Sequence, residues 1–151
     1  MSDHDFERML ARQAAIDRFV RSAPTFIQGK SLEDFRNISD VQDEIIDTSP
    51  NPHVPSKTDE FRTLKFDGLE IYGLVRSPKE FWPIKIIVSS PRWKILNNLN
   101  VGSRSELIYD ALGNPTKQSD NLKQYCGETE CVDFQVRNDV ISTIIFNFYV
   151  D

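Results

Sequence analysis

Hydrophobic residues recur every three or four positions near the start of the chain, a spacing typical of an amphipathic helix. The stripe consists of Phe6, Met9, Leu10, Ile16 and Val20. Ser2 or Asp3 can cap the start of this helix, and Pro24 lies just past its end. The pattern therefore predicts a helix over residues 3–21.

A second helix is predicted from Ser31, because Ser31 and Asp34 have the spacing of a helix start. Apolar residues that fit its face only loosely continue from there: Leu32, Phe35, Ile38, Val41 and Ile45. Residues 48–58 contain three prolines and are predicted to form a loop.

Alternating apolar residues predict a hairpin over residues 61–75, turning at Asp67-Gly68, where positive φ angles are tolerated. A third strand is predicted over 84–88. Three more are predicted near 123–126, 131–136 and 140–150. In the last strand one face is expected to carry Ile144, Phe146 and Phe148, and the other Ile141, Ile145 and Tyr149.

A short helix is predicted just after position 103. Ser103 and Glu106 form the Ser-x-x-Glu pattern of a capping box. Gly113 stands where a left-handed C-terminal cap is needed, and Pro115 prevents continuation of the helix.

Residues 29–35 and 102–108 form a faint repeat, each with a glycine, a polar cap and the start of an apolar helical face. Strands that include a hairpin follow each copy. The repeat predicts an α+β fold in which two tandem α–β units share one antiparallel sheet, with helices on one face and an additional N-terminal helix. We expect a single domain over 1–151, with the N-terminal helix in 1–24 and the two units in 25–90 and 91–151.

Composition narrows the classes of function. The 151 residues carry a net charge of -5, which disfavours nucleic acid because phosphate binding needs a basic surface. No apolar stretch reaches the roughly 20 residues that span a bilayer. Residues 1–19 are charged throughout and do not resemble a secretory signal.

The two cysteines, Cys126 and Cys131, are separated by a segment that suits a tight turn between antiparallel strands. A disulfide across the turn would indicate an oxidising compartment, and the alternative is two free thiols in a cytosolic protein. We expect no metal site, because zinc normally takes four ligands and the only histidines are His4 and His53.

No catalytic constellation is apparent, and no cofactor is expected. Gly29-Lys30-Ser31 ends like a phosphate-binding loop, but Pro24 stands where that motif requires its first glycine. Asp59 and Glu60 are neighbours in a predicted strand and should point to opposite faces. The chain is therefore predicted not to be an enzyme.

Aromatic residues and an arginine are the best candidates for partner binding, because Trp, Tyr and Arg dominate binding hot spots. The candidates are Tyr72, Phe81, Trp82, Arg92 and Trp93. Phe81-Trp82-Pro83 is expected between strands, and Pro91-Arg92-Trp93 after the third strand. The alternative is that both tryptophans close the ends of the core. The open face of a one-sided sheet is also a natural docking surface.

The second half carries a motif of a known superfamily. Residues 101–107, followed by Leu112-Gly113-Asn114-Pro115, resemble the V-G-x-S-x-x-x-V-x-x-x-L-G-x-P stretch of the β-lactamase-inhibitor-protein-like superfamily, which includes SmpA/OmlA-type envelope lipoproteins. The chain departs from that pattern in lacking an anchor cysteine near its start and in its long first helix. The resemblance covers residues 101–151 and implies a non-enzymatic binding module of the bacterial envelope.

Three hypotheses follow from these observations. The first is an inhibitor or immunity-type protein, periplasmic or secreted, that binds a protein such as a basic enzyme or toxin. The second is an envelope assembly or structural lipoprotein whose anchor segment lies upstream of Met1. The third is a small-ligand-binding protein or an enzyme that uses a cleft between the sheet and the first helix. The sequence leaves a cytoplasmic location and the oligomeric state open.

Overall fold

The computed structural model describes residues 2–149, which form an α+β fold with one antiparallel sheet, as predicted. The helices are α1 (Asp3–Ser22), α2 (Leu32–Arg36) and α3 (Glu106–Leu112), and a 3-10 turn covers Leu96–Asn98. The strands are β1 (Asp43–Pro50), β2 (Thr58–Phe66), β3 (Leu69–Ser77), β4 (Glu80–Val88), β5 (Lys117–Ser119), β6 (Leu122–Cys126), β7 (Cys131–Arg137) and β8 (Val140–Asn147).

The eight strands lie in the order β1-β2-β3-β4-β8-β7-β6-β5. Each half of the sheet is a run of four consecutive strands, and the last strands of the two runs pair with each other. This central pairing is short, from Lys85 opposite Asn147 to Val88 opposite Ile144. The antiparallel sheet is therefore continuous although its halves are built from separate parts of the chain.

A row of fully buried side chains crosses the sheet and forms the centre of the core. Register places these residues side by side on six neighbouring strands: Leu64, Ile71, Ile86, Phe146, Val132 and Tyr125. Each is 0% exposed. Because side chains alternate between the faces of a strand, this row defines one buried face and leaves the other face open.

Each helix contributes buried side chains to the same hydrophobic cluster as this row. Ile16, Phe19 and Val20 come from α1, Phe35 from α2 and Ile108 from α3. Only the second half of α1 takes part, because residues 2–12 are exposed throughout. The α1 helix therefore extends beyond the surface on which its second half packs.

Ion pairs attach α2 to the first two strands. Arg36 donates to both carboxylate oxygens of Glu44, each at 2.8 Å, and Arg62 forms a second ion pair with Glu44. Hydrogen bonding by Arg36 is the main reason that the pKa of Glu44 is lowered. The sequence-predicted capping box of Ser31 and Asp34 is present at the start of α2.

Strand β1 corrects the prediction for residues 31–58. The α2 helix ends at Arg36, and Ile45 lies in β1 rather than on a helix. β1 also extends to Pro50 and so includes part of the predicted loop. The prediction failed because β1 is an edge strand whose side chains are nearly all exposed, so its sequence lacks the alternation of a half-buried strand.

Residues 81–83 are a second correction, because they lie within β4 rather than between strands. Proline is unusual inside a sheet and is tolerated at irregularities. Here the register between β3 and β4 shifts next to Pro83. Tyr72 pairs with Lys85, but the next residue of β3, Gly73, pairs with Pro83, so Ile84 is skipped. Gly73 makes this possible, because a Cβ there would lie 2.5 Å from the Trp82 carbonyl oxygen.

The second half differs from its prediction in three places. Ser103 does not cap α3; its hydroxyl donates to the Asn98 carbonyl and accepts from the Asn100 backbone N–H. A register shift beside Val136 turns Ile141 to the buried face, where it is 1% exposed. Strand β5 was also missed, because it contains only three residues.

The predicted disulfide between Cys126 and Cys131 is present and joins directly paired residues of β6 and β7. Gly113 has the positive φ expected at the end of α3, 75°, but its ψ of -146° lies outside the left-handed helical region. At the β2–β3 turn only Gly68 has a positive φ.

No helix among residues 2–149 has the length and apolar character needed to cross a membrane.

We expect Gly73→Ala to destabilise the fold by about 1–3 kcal/mol, since the new methyl group would overlap the Phe81 ring and the Trp82 carbonyl oxygen. Urea unfolding followed by circular dichroism would measure the change. Ser49→Ala on the exposed edge strand is the matched control and should stay within about 0.5 kcal/mol of wild type. Equal stability of the Gly73 variant and wild type would contradict the close approach of β4 to β3.

We expect Glu44→Gln to lower the free energy of unfolding by about 1–2 kcal/mol at pH 7, since Arg36 and Arg62 lose their carboxylate. The folded-state pKa of Glu44 is lowered, so its contribution is present above the unfolded value of 4.5 and is lost as pH falls through the folded value. Denaturant titrations from pH 7 to 3 should show a flatter acid limb for the variant. Glu106→Gln, at an exposed ion pair, should leave the profile unchanged.

Candidate binding surface

The open face of the sheet carries an apolar band that crosses its first half and reaches β8. We call this set the open-face patch, and its members are Phe61, Tyr72, Leu74, Trp82, Ile87 and Ile145. Cross-strand register places them on the face opposite the buried row. All are partly exposed except Leu74, which is 7% exposed. The patch is therefore apolar surface that none of the described helices covers.

Aromatic contacts fix the geometry of the patch. The rings of Phe61 and Tyr72 stack with centroids 5.7 Å apart and an interplanar angle of 15°. Arg76 lies over the Trp82 ring at 4.4 Å, and the indole N–H of Trp82 donates to Glu80 at 3.0 Å. Side chains held in this way lose little rotamer freedom when a partner binds, which favours their use as anchors.

A notch of about 390 Å³ opens in the patch beside Tyr72. Its walls are mainly apolar and include Tyr72, Ile84 and Ile87. Lys85 stands at its rim and has no ion-pair partner within the described residues, whereas Glu70 at the rim lies 3.9 Å from Lys65. The notch could receive an apolar side chain of a partner, with charged groups around it.

The corresponding face of the second half is polar. Gln124, Asp133, Gln135, Thr143 and Asn147 lie there by register. Gln124 donates to Asp133 at 2.8 Å, so part of this polarity is satisfied within the sheet. The two halves share a strand topology but differ in surface chemistry, and the aromatic rings of the open-face patch lie in the first half.

A second cleft of about 580 Å³ lies just past the end of β8. It lies beside residues 80–84 of β4, which fall outside the pairing of β4 with β8. The Lys30 carbonyl accepts from the Phe81 backbone N–H at 2.7 Å and covers part of this edge. The cleft is lined by Phe35, Phe81, Trp82, Phe148 and the cations Arg21 and Lys30, with other residues of the same segments. Its position resembles the predicted cleft between the sheet and the first helix.

The five sequence-predicted binding residues do not form one site. Tyr72 and Trp82 share the open-face patch. Phe81 is 2% exposed and packs on Phe35 with centroids 5.0 Å apart. Trp93 is 5% exposed, and its indole N–H donates to the Asp67 carbonyl at 2.7 Å. Phe81 and Trp93 therefore offer little surface to a partner.

Arg92 lies on the helix side of the molecule, away from the patch. Its guanidinium stands 4.8 Å from the Trp93 ring centroid and donates to the Ser39 hydroxyl at 2.8 Å. These contacts give Arg92 a structural role as a cover for the Trp93 ring.

Phe61 was not among the sequence-predicted binding residues, although the register of the hairpin predicts its place on the open face. A two-residue turn at Asp67-Gly68 pairs Phe66 with Leu69, which places Phe61 opposite Leu74 on the face of Tyr72. The contribution of Ile145 could not be found in this way, because it depends on the pairing of β4 with β8.

The described residues offer no grouping suited to metal binding: within 2–149, no three His, Cys, Asp or Glu side chains lie close enough to hold an ion. The clearest shifted pKa among the tyrosines is that of Tyr125, which burial raises to about 12. Its hydroxyl donates to the Gly113 carbonyl at 2.7 Å and faces no cleft, so we assign it to the core.

We expect the two tryptophans to differ in their access to solvent. Trp82→Phe should leave a protein whose fluorescence is blue-shifted and weakly quenched by acrylamide, since Trp93 is buried. Trp93→Phe should leave the more strongly quenched emission of Trp82, which is partly exposed. The reverse order of quenching constants would contradict the placement of Trp82 on the open face.

Comparison with protein-family models, with curated proteins and with solved structures gives no match to this chain.

Proposed function

We propose that this chain is a non-catalytic protein-binding module of the inhibitor or immunity type, which docks its partner on the open-face patch. The observation that carries the proposal is an aromatic and aliphatic band left uncovered on the sheet. Exposed apolar surface rimmed by polar groups is typical of protein interaction sites. Tyr72 and Trp82 are the anchors we assign to it.

The architecture supports the resemblance to the β-lactamase-inhibitor-protein-like superfamily. We interpret α2 with β1–β4 and α3 with β5–β8 as two tandem α–β units that share one sheet, with the helices on one face. In this interpretation the open face is the surface that the tandem arrangement makes available for binding.

The net charge supports a basic protein as the partner, and the disulfide supports an oxidising compartment as the location. The net charge of -5 favours a basic protein, because complementary charge speeds encounter and disfavours acidic competitors. The disulfide is typical of an oxidising compartment. We therefore place the interaction in the periplasm or outside the cell.

A photo-crosslinking amino acid at position 72 should capture one dominant protein in the native source, because Tyr72 lies in the patch. The same probe at position 135, on the polar half of the open face, is the matched control and should capture little of it. Calorimetry with the purified partner should then show that Trp82→Ala weakens binding about 30-fold, equivalent to about 2 kcal/mol.

Gln135→Ala should change the affinity less than about twofold, as expected of a residue outside the interface. Circular dichroism would establish that both variants are folded. Capture from position 135 but not from position 72, or full affinity in the Trp82 variant, would contradict docking on the patch.

The cleft at the end of β8 favours a second candidate function, binding of a small ligand. Its volume of about 580 Å³ lies within the range of ligand pockets. The aromatic walls suit an apolar ligand, and Lys30 could bind its carboxylate; Arg21 is already paired with Glu130, and Glu80 also lines the cleft. A thermal-shift screen of aromatic and aliphatic carboxylates tests this idea, and a set without any stabilising compound would remove its support.

A further inference from the structure

The turn between β6 and β7, residues 127–130, receives the second half of α1. The Asp17 carboxylate on α1 accepts three backbone N–H groups of this turn, from Glu128 at 3.0 Å, Thr129 at 3.3 Å and Glu130 at 2.9 Å. Hydrogen bonds to an ionised carboxylate are stronger than neutral ones. A single side chain thus links the N-terminal helix to a turn more than a hundred residues away.

Other contacts hold the helix and the turn closely together. A Cβ on Gly127 would overlap the Asp17 carboxylate and the Gln13 carbonyl, so the turn backbone lies directly on the helix. Glu130 is 3% exposed, and its carboxylate binds Arg21 of α1 at 3.0 Å and the Tyr149 backbone N–H at 2.8 Å. The turn is therefore the polar part of the α1 docking site.

The disulfide closes the ends of this same turn. Cys126 and Cys131 are the last residue of β6 and the first of β7, and they flank residues 127–130 directly. Three N–H groups can converge on one carboxylate only while the turn keeps its shape. The cross-link removes alternative shapes that the open chain could adopt, and it acts together with the Gly127 N–H, which donates to the Glu130 carbonyl at 2.8 Å.

We propose that the Cys126–Cys131 disulfide is a redox-sensitive latch for the N-terminal helix. In the oxidised protein the closed turn holds Asp17 and keeps α1 docked. A dithiol reductant supplies two electrons and two protons; the S–S bond breaks, two thiols form on this chain, and the reductant becomes a disulfide. The relaxed turn then binds Asp17 less well, and α1 leaves its site more often.

The magnitude of the effect follows from what else holds α1. Burial of Ile16, Phe19 and Val20 by α1 docking does not depend on the disulfide itself, so reduction should not detach the helix completely. Loss of charge-assisted hydrogen bonds to Asp17 should raise the undocked population on the order of 10- to 100-fold. The latch is therefore graded, and it acts on α1 without unfolding the sheet.

Hydrogen exchange read by mass spectrometry tests the proposal, with peptides from α1 compared with peptides from β3 and β4. Reduction by dithiothreitol, verified by the mass of two thiols, should lower protection of residues 14–22 on the order of tenfold or more. Peptides of β3 and β4 should keep their protection. The Cys126→Ser/Cys131→Ser protein should behave as the reduced protein does, without any reductant.

The Asp17→Asn variant is an independent test, because it removes the charge of the carboxylate and leaves the disulfide in place. In the oxidised protein it should lower α1 protection as reduction does. In the reduced protein it should have a much smaller effect, since the contact is already weakened. Asp110→Asn, an exposed carboxylate on α3, is the matched control and should change nothing.

Three outcomes would overturn the latch. Unchanged α1 protection after verified reduction would mean that the disulfide does not support docking. Equal loss in α1, β3 and β4 would make the disulfide a general stabiliser of the fold. An Asp17→Asn effect of the same size in both redox states would show that Asp17 and the disulfide act independently.

Discussion

The rest of the structure depends on the burial of one row of side chains across six strands. Leu64, Ile71 and Ile86 continue into Phe146, Val132 and Tyr125 only because β4 pairs with β8. That pairing is short, yet it places two hydrophobic surfaces edge to edge, so that one set of helices and loops can cover both. Hydrophobic burial of this kind is the dominant favourable term in folding. The row also dictates which side chains must face outward.

The open face acquires its chemistry from this constraint. Each buried position commits the neighbouring positions of the strand to the other face, so Phe61, Tyr72 and Trp82 are brought together by the register that buries Leu64 and Ile71. The second half obeys the same rule but places Gln124, Asp133 and Thr143 outward. Similar topologies thus carry unlike surfaces, and the difference lies wholly in residues that the core does not constrain.

Much of the fold could be predicted from the sequence, because local patterns determine it. The stripe from Phe6 to Val20 predicts α1, and Asp67-Gly68 together with alternating residues predicts the β2–β3 hairpin. The spacing of the two cysteines favours the disulfide that is present, although two free thiols were the alternative. The failures share a cause in tertiary context: β1 is exposed on both faces, Pro83 lies in a strand beside a register shift, and Ser103 bonds to its own loop rather than to α3.

The candidate binding surface was harder to predict from the sequence than the fold was. Aromatic content indicated binding, but exposure separates Trp82 from Trp93, and exposure depends on packing between distant segments. Asp17 gave no local signal at all, since its partners lie in the β6–β7 turn.

The exposed edge of the sheet has a consequence for how copies of this protein behave when crowded. An open strand of the length of β1 is a template on which another chain can add. A symmetric antiparallel pairing of two copies centred on Ile45 would bring Asp43 of each opposite Asp47 of the other, and Pro50 lacks the N–H that would extend the ladder. In this register, like charges and the missing donor of Pro50 therefore disfavour the addition of a second copy to the β1 edge.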